Sequence, residues 1–205
     1  MIQAPSSRIE RRREKTSRLL IEVALGLFYE KGIDRTKIED ITERADIGKG
    51  TFYQYFETKE ELLRTLLEEG LEELLSRTTE EVKTARPGPR MIRRIIHAQL
   101  DFDLEHPEYL VLFHQVRGLL QFRTESVKEL RQVYDAYLDR LGQVIRHALN
   151  SRNGEGVSPR QIAMAVSAFS LGLLTHPLLF DKAGEFRDRR DDIQAQLERS
   201  IYALV

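Results

Sequence analysis

The 205-residue sequence contains no cysteine, which excludes disulfides, a thiol nucleophile and any zinc site built from cysteine. No secretory leader is recognisable, because the charged N-terminal residues 1–15 are not followed by an apolar region of the secretory type. The most apolar run, residues 163–174, includes two serines and a glycine and is shorter than the roughly 18 residues of a membrane span. We therefore expect a cytoplasmic protein that does not contact a membrane.

Patterns typical of catalysis are missing as well. The sequence shows no glycine-rich phosphate loop, no nucleophile elbow and no cluster of metal ligands. His97 and Asp101 are four residues apart, on one face of a predicted helix, but two ligands are too few for a metal site. We predict no enzymatic activity, no cofactor and no metal. A helical module that binds another protein stays open as the alternative to the function inferred below.

Positive and negative charges nearly cancel, but they are spread unevenly. The formal net charge is −1, whereas residues 8–18 hold six basic and two acidic side chains. Residues 68–81 are instead rich in glutamate. The distribution of charge matters more than its sum for contact with nucleic acid. The basic segment is suited to contacting phosphates, although a solvated tail would have the same composition.

Apolar residues recur at helical spacing, and no segment alternates as a strand would. A composition of 41% hydrophobic and 32% charged residues is typical of a globular protein with a buried core. The sequence thus predicts an all-α fold of about nine helices. The expected helices cover about residues 16–31 with Gly32 as the stop, 36–45, 49–56, 59–84, 89–105, 107 onward, 125–149 after Thr124, 159–175, and a last helix ending near Leu204. Ser158 and Gln161 have the spacing of a capping box at the start of the helix over residues 159–175.

Two short helices with a tight turn between them stand out near the N-terminus. Thr36 and Glu39 have the spacing of a capping box, in which each side chain bonds the backbone of the other. Gly48 can adopt a left-handed backbone in the turn. Phe52 and Phe56 lie on one face of the next helix, where we expect them to pack in the core. This is the helix-turn-helix pattern that enters the DNA major groove.

Several side chains around this motif are suited to DNA. Thr36 lies at a helix N-terminus, where free N–H groups favour a phosphate. A glycine early in the second short helix lets its backbone approach the groove, and Lys59 puts an unfavourable positive charge at the start of the next helix, which a nearby DNA backbone would offset. The candidate DNA-binding residues are Thr36, Lys49, Gly50, Thr51, Tyr53, Tyr55 and Lys59.

These residues carry a family resemblance. The string Lys49-Gly50-Thr51-Phe52-Tyr53-Gln54-Tyr55-Phe56-x-x-Lys59-Glu60-Glu61-Leu62 resembles the recognition-helix signature of the TetR family of bacterial transcription regulators. Residues 24–36 are similar to the family's first helix and its exit, so the resemblance covers about the first third of the chain. It implies that all the candidates except Thr36 fall at DNA-contacting positions. Gly48 stands where the family often has a capping serine, which leaves Asp46 as a possible cap.

The resemblance implies a function as well as a fold. A helix-turn-helix DNA-binding domain would cover residues 1–57, and a helical effector-binding and dimerisation domain would cover residues 58–205. A homodimer would bind a palindromic operator on double-stranded DNA, most simply as a repressor that a small-molecule effector releases. An activator, or a regulator without an effector, stays open.

The larger domain offers candidates for effector binding and dimerisation. Small residues at helical spacing in the eighth helix permit a close approach to a second copy, and the last helix adds an apolar stripe. His114 and Arg117 are one helical turn apart and could orient the acidic head of an apolar effector. His176 precedes Pro177, where the helix is expected to kink or stop. The candidate effector residues, each with core packing as the alternative, are Phe102, Tyr109, Phe113, His114, Arg117, Phe122, Tyr134, Tyr137, Phe169 and His176; the dimer candidates are Ala165, Ala168, Phe169, Gly172, Leu197 and Ile201.

Overall fold

A computed structural model describes residues 8–83, 90–122, 124–148 and 158–180, together with residues 192 and 195. Eight helices and no strand occur within these ranges, which confirms the all-α fold class. Leu197 and Ile201 of the predicted last helix lie outside the described residues. The helices are α1 (Arg8–Lys31), α2 (Ile38–Arg44), α3 (Lys49–Phe52), α4 (Lys59–Lys83), α5 (Arg90–Glu105), α6 (Pro107–Leu119), α7 (Glu125–Ala148) and α8 (Pro159–Phe180).

The chain divides into two compact units, Met1–Leu66 and Leu67–Val205, and α4 contributes residues to both. The predicted functional boundary after residue 57 stays a prediction. The first unit contains the helix-turn-helix pattern, and the second contains the candidate effector residues. No helix in the described ranges is long and apolar enough to cross a membrane.

Helix α1 begins earlier than its apolar spacing predicts. It starts at Arg8 rather than near Thr16, so the basic segment is helical and not a tail. The helix ends where expected: Gly32 has a φ of 87°, and its N–H donates to the carbonyl of Phe28 at 3.0 Å. A glycine is suited to this stop because it adopts positive φ without a steric penalty.

The core of the first unit is apolar and closed by ion pairs. Phe28, Ile41 and Phe52 bring α1, α2 and α3 together and are fully buried. At the surface, Lys31 lies 2.8 Å from Asp40 and Arg44 lies 2.7 Å from Glu30. Both pairs join α1 to α2, and the Lys31 hydrogen bond lowers the pKa of the Asp40 carboxyl.

The second unit is built from α5 to α8 with residues 67–83 of α4. The start of α8 is the predicted capping box: the Ser158 N–H donates to Gln161 Oε1 at 2.7 Å, and the Gln161 N–H donates to Ser158 Oγ at 3.2 Å. The prediction that this helix ends by residue 175 is wrong, since α8 runs past Pro177 to Phe180.

The glutamate-rich part of α4 is largely neutralised within the second unit. Glu72 pairs with Arg140 of α7, and Glu81 lies 3.3 Å from Arg94 of α5. Glu73 pairs with Arg77 at 2.9 Å on α4 itself. These side chains hold helices together and do not form an uncompensated acidic face.

Candidate nucleic-acid interface and buried cavity

A well-defined turn joins α2 to α3. Asp46 has a φ of 52°, and its N–H donates to the carbonyl of Glu43 at 3.1 Å. The N–H of Ile47 donates to the carbonyl of Thr42 at 3.0 Å. This pair of bonds is the Schellman arrangement that ends a helix through one left-handed residue. The left-handed position is therefore Asp46 and not Gly48, and the prediction of Asp46 as a cap of α3 is wrong. Gly48 is the N-cap of α3, with an extended backbone and no side-chain cap.

The N-terminus of α2 differs from the prediction. The N-cap is Lys37, whose N–H donates to Asp40 Oδ2 at 2.7 Å. The predicted capping box between Thr36 and Glu39 is wrong, because the Thr36 hydroxyl donates instead to the carbonyl of Gly32 at 2.7 Å. Thr36 is only 1% exposed. Its side chain fastens the end of α1 and presents almost no surface to DNA in this conformation.

Lys59 is half-buried at the start of α4 and has an intramolecular role. Its ammonium group donates to the carbonyls of Ile33 and Thr36, at 2.9 and 3.0 Å. These two acceptors explain how a positive charge is tolerated at the first turn of a helix, which the sequence interpretation attributed to DNA. Lys59 thus ties α4 to the connection between α1 and α2. A direct contact between Lys59 and DNA stays a prediction.

Helix α3 ends at Phe52 rather than at residue 56 as predicted, and it presents the remaining candidates at the surface together with the turn that follows it. Tyr53 is 54% exposed, and Thr51 and Tyr55 are half-buried. The space beside the Cα of Gly50 is open, since a Cβ placed there would meet no atom within 4 Å. Phe52 and Phe56 are buried beneath this face, with ring centroids 5.9 Å apart, as the sequence predicted. The core thus positions the helix from below and leaves its outer face uncovered.

Lys49 is exposed on the same helix but pairs with Glu39 of α2. This hydrogen bond raises the pKa of the Lys49 amine and lowers the pKa of the Glu39 carboxyl. Lys49 is therefore a cation at neutral pH. To contact a phosphate, Lys49 would have to break its ion pair with Glu39.

A small cavity lies inside the second unit. Its volume is about 20 Å³, which is enough for roughly one water molecule. Residues from α4, α5, α6, α7 and α8 meet around it, so the packing of five helices decides its shape. The lining residues are Leu71, Leu74, Gln99, Asp103, Phe113, Tyr134, Tyr137, Ser167, Ser170 and Leu171.

Polar groups in this lining fall into two classes. Two are paired across helices: Gln99 Nε2 donates to the Tyr137 hydroxyl at 3.1 Å, and the Tyr134 and Ser167 hydroxyls lie 3.0 Å apart. Asp103 Oδ1 and Ser170 Oγ are buried without a hydrogen-bond partner among the described residues.

Asp103 is the acidic residue of this lining. It is 3% exposed, and burial raises the pKa of its carboxyl to about 8. Burial also raises the pKa of the neighbouring Tyr137 hydroxyl. An acid that is removed from water in this way stays protonated near neutral pH, unless a cation comes close to it.

Three predicted effector residues, Phe113, Tyr134 and Tyr137, line this cavity. Phe102 and Tyr109 do not line the cavity but pack behind Phe113, with ring centroids 6.4 and 5.9 Å from the Phe113 ring and 6.0 Å from each other. The others that the structure places away from the cavity are His114 and Phe169, which are half-buried, and Arg117, Phe122 and His176, which are exposed.

Sequence reasoning missed Gln99 and Asp103. They lie four residues apart on α5, in line with the buried Ile95 and Ile96. A polar residue at a core-facing position of a helix was the signal that could have identified them. Ser167 and Ser170 stood out in the sequence only as small residues of α8, and their hydroxyls gave no separate signal.

The dimer candidates on α8 are accessible in the single chain. Ala165, Ala168 and Gly172 are exposed, and Phe169 is half-buried. A Cβ placed on Gly172 would meet no atom within 4 Å. One face of α8 therefore carries small residues and is left uncovered by the described residues of its own chain.

Comparison with known proteins shows which proteins this chain resembles. Residues 20–66 match the family model described as bacterial regulatory proteins, tetR family. The HTH-type transcriptional regulator YuxN of Bacillus subtilis is 33% identical over 123 residues, which cover 58% of this chain and 42% of that protein. The regulator YerO of the same organism is 28% identical over 146 residues, 70% of this chain and 48% of that protein. The match thus spans about half the length of these curated relatives.

Solved structures share the fold across nearly the whole length. The crystal structure of the transcriptional regulator FadR from Bacillus subtilis, in complex with stearoyl-CoA, is similar with a TM-score of 0.69 and 18% identity. The similarity covers 88% of this chain and 96% of that chain. The chain thus shares an N-terminal helix-turn-helix with these regulators and an all-helical fold with these solved structures. The family match over residues 20–66 confirms the resemblance to the TetR family seen in the sequence.

Proposed function

We propose that the protein is a homodimeric transcriptional repressor that binds a palindromic operator and is released from it by a small-molecule effector. The exposed face of α3 carries this proposal. Its side chains project from a helix that Phe52 and Phe56 anchor from beneath, and Gly50 leaves room for a close approach to DNA. Side chains that contact base edges and phosphates from such a helix provide specificity and position.

The basic first turns of α1 support the same role. Arg11, Arg12 and Arg13 are exposed on a helix of the same compact unit as α3. Exposed arginines bind phosphates without reading sequence, so they would add affinity and salt dependence. Thr36 is left out of the proposed contact set because its side chain is buried.

The uncovered face of α8 supports a dimer. Small residues at Ala165, Ala168 and Gly172 would allow two α8 helices to approach closely. A two-fold dimer would present two α3 helices to half-sites related by the same symmetry, hence a palindromic operator. Sedimentation of the full chain tests this step: we expect a dimer at micromolar concentration, and a monomer would contradict it.

The cavity in the second unit supports an effector. A buried carboxyl without a partner is costly in a structural core and is typical of a binding site. The FadR relative binds stearoyl-CoA, but the cavity described here is far too small for an acyl chain. We therefore propose a different and smaller occupant.

A repressor would be released by a shift between two conformations. An effector can displace that equilibrium only by its difference in affinity for the two states. The effector proposed here would bind more tightly to the state that does not fit the operator.

Selection of random duplex DNA on the purified protein, followed by sequencing, tests the function. We expect a palindromic motif. Lys49→Ala and Tyr53→Ala should each weaken binding to that motif with an unchanged circular dichroism spectrum. Lys49→Ala should also reduce the slope of log affinity against log salt by about one unit, whereas Tyr53→Ala removes no charge and should leave that slope nearly unchanged. Selection without an enriched motif, together with unchanged affinity in both variants, would contradict the proposal.

The alternative is a module that binds another protein through the glutamates of α4. The structure gives this alternative less support than the sequence did. Glu72, Glu73 and Glu81 are occupied by ion pairs within the second unit. If the selection enriches no DNA motif, the protein-binding alternative gains support.

A further inference from the structure

The cavity of the second unit has an unusual set of polar atoms. Asp103 Oδ1 and Ser170 Oγ are buried there without hydrogen-bond partners among the described residues. Native proteins pair nearly all such atoms, because leaving one unpaired costs free energy. Two unpaired oxygens at one cavity therefore indicate that something else completes the site.

The lining also restricts the chemistry of the occupant. It includes a carboxyl, hydroxyls and aromatic rings, and no Lys, Arg or His of the described chain belongs to it. A carboxylate ligand would meet Asp103 and find no positive charge. The acidic head expected from the sequence is thus a poor match, since His114 and Arg117 do not line the cavity.

We propose that this cavity binds the protonated primary amine of a small effector, with Asp103 as its counter-ion and Ser170 as a second acceptor. This inference rests on the proposed function, because it assigns chemistry to the effector site. An ammonium group has three donors and no acceptor, which complements oxygens that lack donors. The apolar part of the effector would lie against Leu71, Leu74 and Leu171.

The size and walls of the cavity agree with a primary amine. About 20 Å³ is enough for a group the size of water or ammonium, and a trimethylammonium group is considerably larger. The rings of Tyr134 and Tyr137 have centroids 6.0 Å apart and both line the cavity, as does Phe113. Aromatic faces attract a cation in addition to the carboxylate.

Proton balance gives the proposal a distinctive signature. Burial raises the pKa of Asp103 to about 8, so the empty site holds a neutral carboxylic acid at about pH 7. An alkylammonium ion would stabilise the carboxylate, and the Asp103 proton would leave to solvent. Tyr134 and Tyr137 of α7 are the other titratable groups that line the cavity, and α4, α6 and α8 contribute leucines, a phenylalanine and serines. Binding should therefore release up to about one proton.

Isothermal titration of the full chain with methylamine tests the site, with acetate and tetramethylammonium as comparison probes. Titrations at about pH 7 in two buffers of different ionisation enthalpy report the protons released. We expect methylamine to bind most tightly and with proton release. Asp103→Asn should weaken binding by roughly tenfold or more and abolish proton release. Asp101→Asn, on the same helix but outside the lining, is the matched control and should behave as the wild type.

Ser170→Ala provides a second variant in case Asp103→Asn does not fold. It should weaken methylamine binding by a smaller factor and leave proton release intact. Tighter binding of acetate, or equal methylamine binding by the wild type and both cavity variants, would overturn the amine site.

Since these titrations contain no DNA, the two proposals fail separately. Absence of methylamine binding would overturn the amine site and leave operator binding untouched. Asp103-dependent binding with no effect on operator affinity would uphold the site and contradict the effector-released repressor.

Discussion

Polar side chains have different roles in the two compact units: in the first they support an outer surface, and in the second they line an internal cavity. In the first unit, Thr36 and Lys59 bond the backbone between α1 and α2, while Tyr53 faces outward from α3. In the second unit, Asp103 and Ser170 turn oxygens inward to a cavity. The first arrangement supports the surface that we propose binds DNA, and the second leaves the internal site that we propose binds a small amine. The contrast teaches that polar side chains of a helical protein can serve either an outer surface or an internal cavity.

Two glycines show the same contrast. A Cβ at Gly70 of α4 would lie 2.4 Å from a ring carbon of Tyr109, so this glycine permits tight packing. A Cβ at Gly50 of α3 would meet nothing within 4 Å. The packing around the first glycine explains it, whereas no described contact within the chain requires the second to be glycine.

The largest effect on stability is expected from Gly70→Ala. The added methyl would clash with the Tyr109 ring and touch Phe113, at 2.4 and 3.0 Å. Overpacking of this kind costs about 1–3 kcal/mol of unfolding free energy. Urea denaturation measures the change, with Gly118→Ala as the control because a Cβ there meets no atom within 4 Å. Equal stability of the two variants would show that this packing is not tight.

The next effect concerns Asp103 and has a definite pH dependence. The folded pKa of about 8 lies above the ordinary value of 3.8, so the folded state holds a proton that the unfolded state has lost between these values. Wild-type stability should therefore fall as pH rises from about 4 to about 8. Asp103→Leu should remove this fall and gain about 1–3 kcal/mol at the alkaline end.

Denaturation of both proteins across this pH range checks the prediction. Asp103→Asn serves as the control, because it removes the titration while retaining polar atoms. A pH profile of Asp103→Leu that parallels the wild type would contradict the assignment.

Gly50→Ala is expected to have two smaller effects of opposite sign, one on stability and one on DNA binding. Alanine should stabilise α3 by up to about 1 kcal/mol, because glycine is the weaker helix former and the site is open. Operator binding should nevertheless weaken, since the methyl would occupy the space through which DNA approaches. Gly26→Ala in α1 is the control: its Cβ also meets no atom within 4 Å, and we expect stabilisation with DNA binding unchanged.

The smallest effect is expected from Glu39→Gln. Glu39 pairs with Lys49 at the surface and competes with phosphate for it. Removal of the carboxylate should tighten operator binding slightly, and more at low salt, because exposed ion pairs are weak and screened. A double-mutant cycle with Lys49→Ala checks the cause. Equal tightening in the absence of Lys49 would show that Glu39 acts on DNA directly.

The sequence predicted local features well. Gly32 as a helix stop, the Phe52–Phe56 core and the Ser158–Gln161 capping box depend on residues within one turn of each other, so their spacing was informative. Asp46 was misjudged because a left-handed aspartate is uncommon and glycine two residues away is the usual choice.

Long-range features could not be predicted. Lys59 finds its acceptors 26 and 23 residues earlier in the chain, and no local pattern announces that contact. Asp103 is buried only because five helices meet around it, and the rotation of each helix decides which side chains line the cavity. His114 and Arg117 had suitable chemistry and spacing, but α6 does not direct them into the cavity.

A competition experiment tests the central claim, that the outer face of α3 reads DNA sequence, most directly. The selected duplex would compete with a scrambled duplex of equal length and composition, at one salt concentration, for the wild type and for Tyr53→Ala. We predict that the wild type prefers the selected duplex by roughly a thousandfold or more, and that Tyr53→Ala binds it more weakly with an unchanged fold. Equal affinity of the wild type for both duplexes would contradict the account.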